Sequence, residues 1–435
     1  MNIEKLYNHF LRSQGVSTDS RHVKENSLFF ALKGEKFNGN HFANQALAQG
    51  ANFAIIDEPA FKNDDRCIVV ENVLETLQHL ARFHRQQLNI PIIGITGSNG
   101  KTTHKELIAA ILSKKYSVFA TQGNLNNHIG VPLTLLAMNQ ETQIGVIEMG
   151  ANHQREIALL ASICMPTHGI ITNIGKAHLE GFGGVEGIKV GKGELYDFLF
   201  ENKGTVFINS RDLVLMEMLN QRFEKYGRDK IQLINYPAKG DFFTCQLVQA
   251  SPFVAYEDEN GNQVETQLIG SHNFINLAAA LCIGKCFEVA PALANQAISE
   301  YIPENNRSQV QHKGSNTLIL DAYNANPSSM EVSLQAFADM KADKKVVILG
   351  DMFELGEESQ AEHSNIGNLL AKLNFDTILL CGKQMQAAVS VNPKAYYFLD
   401  KFSLHNWLMD NKFENSHILL KGSRGMSLES ALAYL

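Results

Sequence analysis

Nowhere does this 435-residue chain hold the ~18 consecutive apolar residues that suggest a membrane-spanning helix. Its first residues, Met1-Asn2-Ile3-Glu4-Lys5-Leu6-Tyr7-Asn8, lack the charged-then-apolar layout of a secretory signal. A cytoplasmic location without membrane insertion is the expectation. Long blocks of lysine or arginine are missing too, and 38 basic against 45 acidic residues leave a net charge of −7. A nucleic-acid partner is therefore not expected. Cysteine is sparse: Cys67, Cys164, Cys245, Cys282, Cys286 and Cys381 lie in apolar segments without a C-x-x-C pair, which argues against a disulfide framework or a zinc site. Cys282 and Cys286 could share a helix face, as small buried side chains rather than ligands. Charged residues reach only 19% while 45% are hydrophobic, so disorder and fibrous structure are excluded and a large core is available.

What is present is an alternation of strands and helices. At ~100–200 residues per domain the length suggests two to four domains, and the pattern divides into three, at 1–88, 89–305 and 306–435. The first combines short apolar runs (Ser27–Leu32, Phe53–Ile56, Cys67–Val70) with glycine and asparagine turns and an amphipathic helix near Val73–Gln87. From Pro91 onward, strands expected at about 91–95, 116–120, 144–148, 168–173 and 204–208 alternate with helices, the pattern of a mainly parallel sheet covered on both faces. Between 230 and 268 the runs Phe242–Gln249, Pro252–Tyr256 and Gln263–Ile269 follow without helices, predicting an antiparallel extension with a hairpin turn at Glu259–Asn262. Helices at about 273–287 and 291–300 lead to a polar linker at 303–308. A second alternation then begins, with strands at Thr317–Asp321, Lys345–Leu349, Thr377–Cys381, Tyr396–Leu399 and His417–Leu420. The fold class is α/β: a small N-terminal domain, a central P-loop-type sheet and a C-terminal Rossmann-like domain.

The segment Gly97-Ser98-Asn99-Gly100-Lys101-Thr102-Thr103 follows the apolar run Ile90–Ile93 and precedes the helical stretch Glu106–Leu112. Strand, glycine-rich turn and helix in that order let backbone N–H groups face a polyphosphate, with Lys101 reaching its terminal phosphates and the Thr102 hydroxyl holding Mg²⁺. The usual G-x-x-x-x-G-K-[ST] pattern fails at position 95, which is Ile95; glycines fall at 94, 97 and 100 instead.

Ligands of open α/β sheets bind beyond the carboxyl ends of the strands. Glu148 ends one strand and is a candidate magnesium ligand. His178 follows another, in a polar segment suited to a ligand or transition-state role. Lys192, by composition alone, is a solvated lysine at a helix start. Asp321-Ala322-Tyr323-Asn324-Ala325-Asn326-Pro327 ends a strand in an acid before a helix opening at Pro327, where an Asx turn and N-cap are also expected.

These residues resemble the ATP-dependent Mur ligases of bacterial peptidoglycan synthesis, over essentially the whole chain. The resemblance rests on Thr18–Arg21, Thr96–Thr103 with its glycines at the family's spacing, Asn124–Asn127, Glu148–His153, Ala177–Glu180, Lys192–Glu194, His272–Asn276, Asp321–Pro327, Gly350–Met352 and Lys421–Arg424. It implies that Gly97 to Thr103 bind ATP, with Lys101, His178 and Lys192 catalytic. Two Mg²⁺ ions are implied, one on Thr102 and Glu148 and a second near His178 and a carbamylated Lys192. Lys189 is the cation expected to help lower the Lys192 pKa. His272, Asn273 and Asn276 match the adenine segment, and Arg307 and Asp321 match residues at ribose and phosphates. The family often has glycine where Asn306 stands, a residue that tolerates left-handed backbone. Ser20, Arg21, Phe30 and Lys33, with Asn124, Asn126 and Asn127, fall where a UDP-sugar-peptide is held.

The implied reaction is amide ligation. A carboxylate of UDP-N-acetylmuramoyl-tripeptide takes the γ-phosphoryl group, and the amine of D-alanyl-D-alanine, contacted by Asn324 and Asn326, displaces phosphate. A monomer that is open until its substrates arrive is expected, closing about 303–308. A related ligase adding the third peptide residue, a folylpolyglutamate synthetase-like ligase and a nucleotide-binding regulatory module are the alternatives.

Overall fold

The computed structural model describes residues 2–304 and 306–435. Met1 and Asn305, the latter inside the expected linker and at the expected boundary, lie outside the described residues. Of the five sheets among the described residues, the three largest each carry helices. The first is parallel, in the order Val16–Ser17, Leu28–Phe30, Phe53–Ile56, Cys67–Val69. Its helix Val73–Gln87 begins where Asn72 accepts a hydrogen bond from the Glu75 N–H, and it buries Val73, Leu77, Leu80 and Ala81 at helical spacing. That helix also packs against helices Gly130–Leu136 and Glu156–Cys164 of the middle unit. At its end Arg85 donates from Nε to the Cys164 carbonyl (3.0 Å) and from Nη2 to that of Met165 (3.2 Å), bonding the first unit to the second.

The middle sheet is parallel throughout, in the order Gln232–Tyr236, Thr205–Asn209, His168–Ile171, Ile92–Thr96, Ile144–Glu148, Val118–Ala120. Chain direction across the sheet reverses at Ile92–Thr96, so the loop after that strand opens at a topological switch point. All of Ile92–Thr96 and Ile144–Glu148 is buried, as expected for strands covered on both faces. The strand Gln232–Tyr236 corrects the sequence reading: it extends the main sheet, and the antiparallel part is confined to Gln246–Gln249, Ala255–Glu257 and Gln263–Glu265. The side chain of Asp258 closes the hairpin by accepting from the Asn260 and Asn262 N–H groups.

The third sheet runs Gln309–Lys313, Asn316–Asp321, His417–Lys421, Lys345–Gly350, Thr377–Cys381, Tyr396–Phe398. Its first strand, absent from the sequence reading, is antiparallel to the second, and the rest are parallel. The third unit rests on the middle one. Asn326 Nδ2 donates to Asn99 Oδ1 at 2.7 Å, the Lys176 N–H donates to Ser328 Oγ at 2.9 Å, Lys176 pairs with Glu362 at 2.6 Å, and His178 pairs with Glu354. These bonds hold the units together beside the phosphate loop. Among the described residues no helix is long and apolar enough to cross a membrane, and all six cysteines are free.

Candidate active site

Between the two larger units lies a cavity of about 860 Å³, lined from one side by the Ser98–Thr103 loop and from the other by Arg307, Asp321, Tyr323, Asn324 and Asn326. The loop's shape follows from its glycines. Gly97 has φ +141°, and a Cβ there would stand 2.0 Å from Thr172 Oγ1; Gly100 has φ +75° and starts the helix Lys101–Leu112 without a side-chain cap. The first N–H groups of that helix have no intrahelical acceptor, so they and the positive helix end face the cavity. Ser98 Oγ donates to the Gly175 carbonyl (3.0 Å) and accepts from its N–H (2.9 Å), while the Asn99 carbonyl accepts from Thr172 Oγ1 (2.6 Å). The neighbouring strand end therefore holds the loop rigid.

Thr102 Oγ1 donates to Glu148 Oε2 at 2.9 Å, and Asn126 Nδ2 donates to the other carboxylate oxygen at 2.8 Å. Hydroxyl and carboxylate are hard oxygen donors suited to Mg²⁺, which takes few protein ligands and completes its shell with phosphate oxygens and water. Among the described residues no three His, Cys, Asp or Glu side chains converge, so the pair fits a Mg²⁺ shared with a nucleotide rather than a closed protein cage. Lys101 lines the cavity but folds back, donating from Nζ to the carbonyls of Gly97 (2.7 Å) and Ser98 (3.2 Å). Burial and the Arg307 charge lower its pKa, partly offset by Glu148.

Lys192 is 1% exposed, a sequence reading of a solvated lysine notwithstanding. Its Nζ donates to the Ala151 carbonyl at 3.0 Å and sits 5.0 Å from the centre of the Phe182 ring. Burial, with the Lys101 charge, pushes its pKa well below the ordinary lysine value against the pull of Glu156 and Glu194. The expected role of Lys189 is corrected, because that side chain pairs with Glu186 at 2.8 Å. Lys192 stands behind the cavity wall and His178 lines the cavity itself, its ring bonded to Glu354. That bond holds the Glu354 carboxyl below its usual range.

His272, Asn273 and Asn276 line the same cavity in one hydrogen-bonded row, Asn276 beside Gly100. Asn276 Nδ2 donates to Asn273 Oδ1 (2.7 Å), and Asn273 Nδ2 in turn donates to the Ile269 carbonyl (2.7 Å) and to His272 Nε2 (3.2 Å). With Nε2 accepting, the proton of neutral His272 sits on Nδ1, which is buried and unpartnered. Burial pushes the His272 pKa down to about 4, so the ring is neutral near pH 7. Asp321 and Lys421 are register partners on adjacent strands and pair at 2.6 Å. The Arg307 guanidinium lies 3.7 Å from the centre of the Tyr323 ring.

Three family models match in sequence: the Mur ligase family catalytic domain over residues 12–95, the Mur ligase middle domain over 95–284 and the Mur ligase glutamate ligase domain over 306–424. The chain belongs to the Mur ligase family. A Bacillus subtilis strain 168 relative described as UDP-N-acetylmuramoyl-tripeptide–D-alanyl-D-alanine ligase is 34% identical, over 95% of this chain and 91% of its own length. Among solved structures, MurF from Acinetobacter baumannii superposes with a TM-score of 0.87 at 30% identity, covering 99% of this chain and 98% of that one. MurF from Thermotoga maritima in complex with ADP gives 0.84 at 26%, covering 98% and 97%.

The Mur ligase pattern also named residues outside this cluster. Ser20, Arg21, Phe30 and Lys33 do not line the cavity. Arg21 is exposed and paired with Asp19 (2.7 Å), while Lys33 is paired with Asp57 (2.9 Å) and Glu58 (2.8 Å). Phe30 is wholly buried in the core, which corrects its expected ligand contact: its ring offers no face to a nucleotide. Asn124 and Asn127 do line the cavity, and Asn127 Oδ1 accepts from the Ile129 and Gly130 N–H groups where a helix begins. Thr172, Asn173 and Glu354 escaped the sequence reading as site residues. Thr172 and Asn173 directly succeed strand His168–Ile171, and that position alone could have revealed them. Glu354 stands two residues beyond Gly350-Asp351-Met352.

Proposed function

We propose that this chain is a cytoplasmic, monomeric, ATP-dependent ligase that joins D-alanyl-D-alanine to the terminal carboxylate of UDP-N-acetylmuramoyl-tripeptide. The products are UDP-N-acetylmuramoyl-pentapeptide, ADP and phosphate. The observation that carries the reading is one cavity holding Lys101, Thr102 and Glu148 on one wall and Arg307, Asn324 and Asn326 on the other.

The tripeptide carboxylate attacks the γ-phosphorus of ATP, the bond to the ADP oxygen breaks, and an acyl phosphate forms. The dipeptide amine then attacks the acyl carbon, and the tetrahedral intermediate expels phosphate as the amide forms. Two anions meet in the first step, so neutralising charge is the chief demand. The N–H groups at the start of helix Lys101–Leu112 cradle phosphate oxygens, Lys101 turns from the Gly97 and Ser98 carbonyls to the γ-phosphate, and Arg307 approaches from the third unit. His272 offers its free Nδ1–H to the nucleoside. Mg²⁺ held by Thr102 and Glu148 would add Lewis-acid stabilisation of the phosphates. Ser20, Arg21 and Lys33 bind the UDP end of the acceptor, with Asn124, Asn126 and Asn127 along its peptide.

Lys192 carries a carbamate in this reading. Carbon dioxide adds only to a neutral amine, and a buried, depressed lysine supplies one, giving with His178 the oxygen and nitrogen donors for a second Mg²⁺. Lys192→Ala is expected to lose ligation and to recover part of it with added short carboxylates. Wild-type turnover in that variant would dispose of the idea.

Phosphate release measured with ATP, UDP-tripeptide and D-alanyl-D-alanine tests the whole proposal. Release should require both substrates together, with diaminopimelate or lysine as third residue deciding the preferred acceptor. Nucleotide binding without turnover would favour a regulatory module instead.

A further inference from the structure

A second cavity of about 230 Å³ adjoins the first, sharing with it His178, Tyr323, Asn324 and Asn326. At roughly 30 Å³ per water it has the volume of about eight waters, suited to a dipeptide and too small for a nucleotide. Its lining carries both signs of charge, Glu354 and Arg424. Glu354 is bonded to His178, and the exposed Arg424 is bonded to Tyr323, beside Phe353 and Gly425. Tyr323 fixes the guanidinium, whose carbon lies 5.2 Å from the ring centre, while Nη1 donates to the Tyr323 hydroxyl at 3.3 Å. The same ring also carries Arg307, at 3.7 Å from its centre. Among the described residues Arg424 has no carboxylate within ion-pair distance, unlike Arg21, Arg66 and Arg222. Ser423 steadies the floor, its Oγ accepting from the Phe353 N–H at 2.9 Å.

We propose that Arg424 grips the C-terminal carboxylate of the incoming dipeptide, which places the dipeptide's amine at the shared wall facing the acyl group in the large cavity. This rests on the ligation reading above. A planar guanidinium matches a carboxylate with two parallel hydrogen bonds, and a guanidinium already held by the Tyr323 hydroxyl loses less entropy on binding. A ligand with a positive end toward Glu354 and a negative end toward Arg424 matches the cavity's polarity, whereas the reversed orientation would set like charges together. Arg424 is therefore a determinant of specificity: the amine substrate must end in a free carboxylate.

The test compares D-alanyl-D-alanine with its C-terminal amide as amine substrates for the wild-type chain and for Arg424→Gln. For the wild type, KM for the amide should exceed that for the acid by roughly 10- to 100-fold, the range for hydrogen bonds to a charged group, with kcat little changed. In Arg424→Gln the acid should bind as poorly as the amide, bringing their ratio to about one, and KM for ATP should hold. Arg424→Lys, which keeps charge but not the planar fork, should give an intermediate ratio and guards against a folding defect in the first variant. Equal KM values for acid and amide in the wild type, or an unchanged ratio in Arg424→Gln, would overturn the assignment alone. Failure of the wild type to ligate either substrate would overturn the ligation reading and this assignment with it.

Discussion

His104 occupies the first turns of the phosphate-loop helix with 0% exposure. Its Nδ1 donates to the Gly100 carbonyl at 2.9 Å, and its Nε2 is buried without a partner. Burial pushes its pKa from 6.5 down to about 4. Between those values the unfolded chain binds a proton that the folded chain does not, so stability falls as pH drops through this window, by up to ~1.4 kcal/mol per pH unit. His104→Asn keeps a donor near Gly100 without a titrating ring. It should flatten the loss of Tm between pH 6.5 and 5 while lowering Tm at pH 7, and an unaltered slope would refute the linkage. Residues were legible in the sequence where a strand end made them so: Glu148, His178 and Asp321 could be picked out without coordinates. Lys192 could not, because nothing in its spacing reveals that Phe182 and Ala151 enclose it. Phe30 was misjudged for the same reason, since burial is set by packing and not by residue type.

At the scale of elements, helix Pro327–Asp339 shows how one side chain serves two structures. Asn326 Oδ1 accepts from the Ser329 N–H (2.9 Å) in a capping box, and Asn326 Nδ2 reaches across to Asn99. Asn326→Ala should cost about 1 kcal/mol of stability through the lost cap. Asn326→Ser keeps a cap and removes only the tether, so its Tm should stay near wild type while ligation suffers in both variants. Equal Tm losses in the two would show that the cap is not what Asn326 contributes. Strands buried on both faces, such as Ile92–Thr96 and Thr377–Cys381, were readable as apolar runs. Gln232–Tyr236 and Gln309–Lys313 were not, because edge strands with one solvated face carry glutamine, asparagine and lysine, and their pairing lies in the partner strand rather than in their own pattern.

On the scale of the molecule, five polar contacts among the described residues hold the third unit against the middle one, the Glu180 N–H donating to the Glu354 carbonyl (3.5 Å) being the fifth. Two of them, Lys176 with Glu362 and His178 with Glu354, are ionic or charge-assisted and partly solvent-exposed, so salt should weaken them. Scattering across a salt series is expected to show the radius of gyration rising with ionic strength, and nucleotide plus UDP-tripeptide should reverse the rise. A radius indifferent to both would mean that the units do not separate. No sequence pattern announced these contacts, since each joins residues more than 150 positions apart. The seam made by Arg85 and helix Val73–Gln87 has the opposite character, being apolar and bonded through buried carbonyls. An apolar, bonded seam between the first two units and partly exposed ion pairs on the third leave one joint suited to movement. On the proposed chemistry, acceptor carboxylate and γ-phosphate ride on the same piece, and their mutual aim is set before the joint moves. Only the nucleophile's arrival is left to be timed, which gives the acyl phosphate no reason to wait in water for its partner.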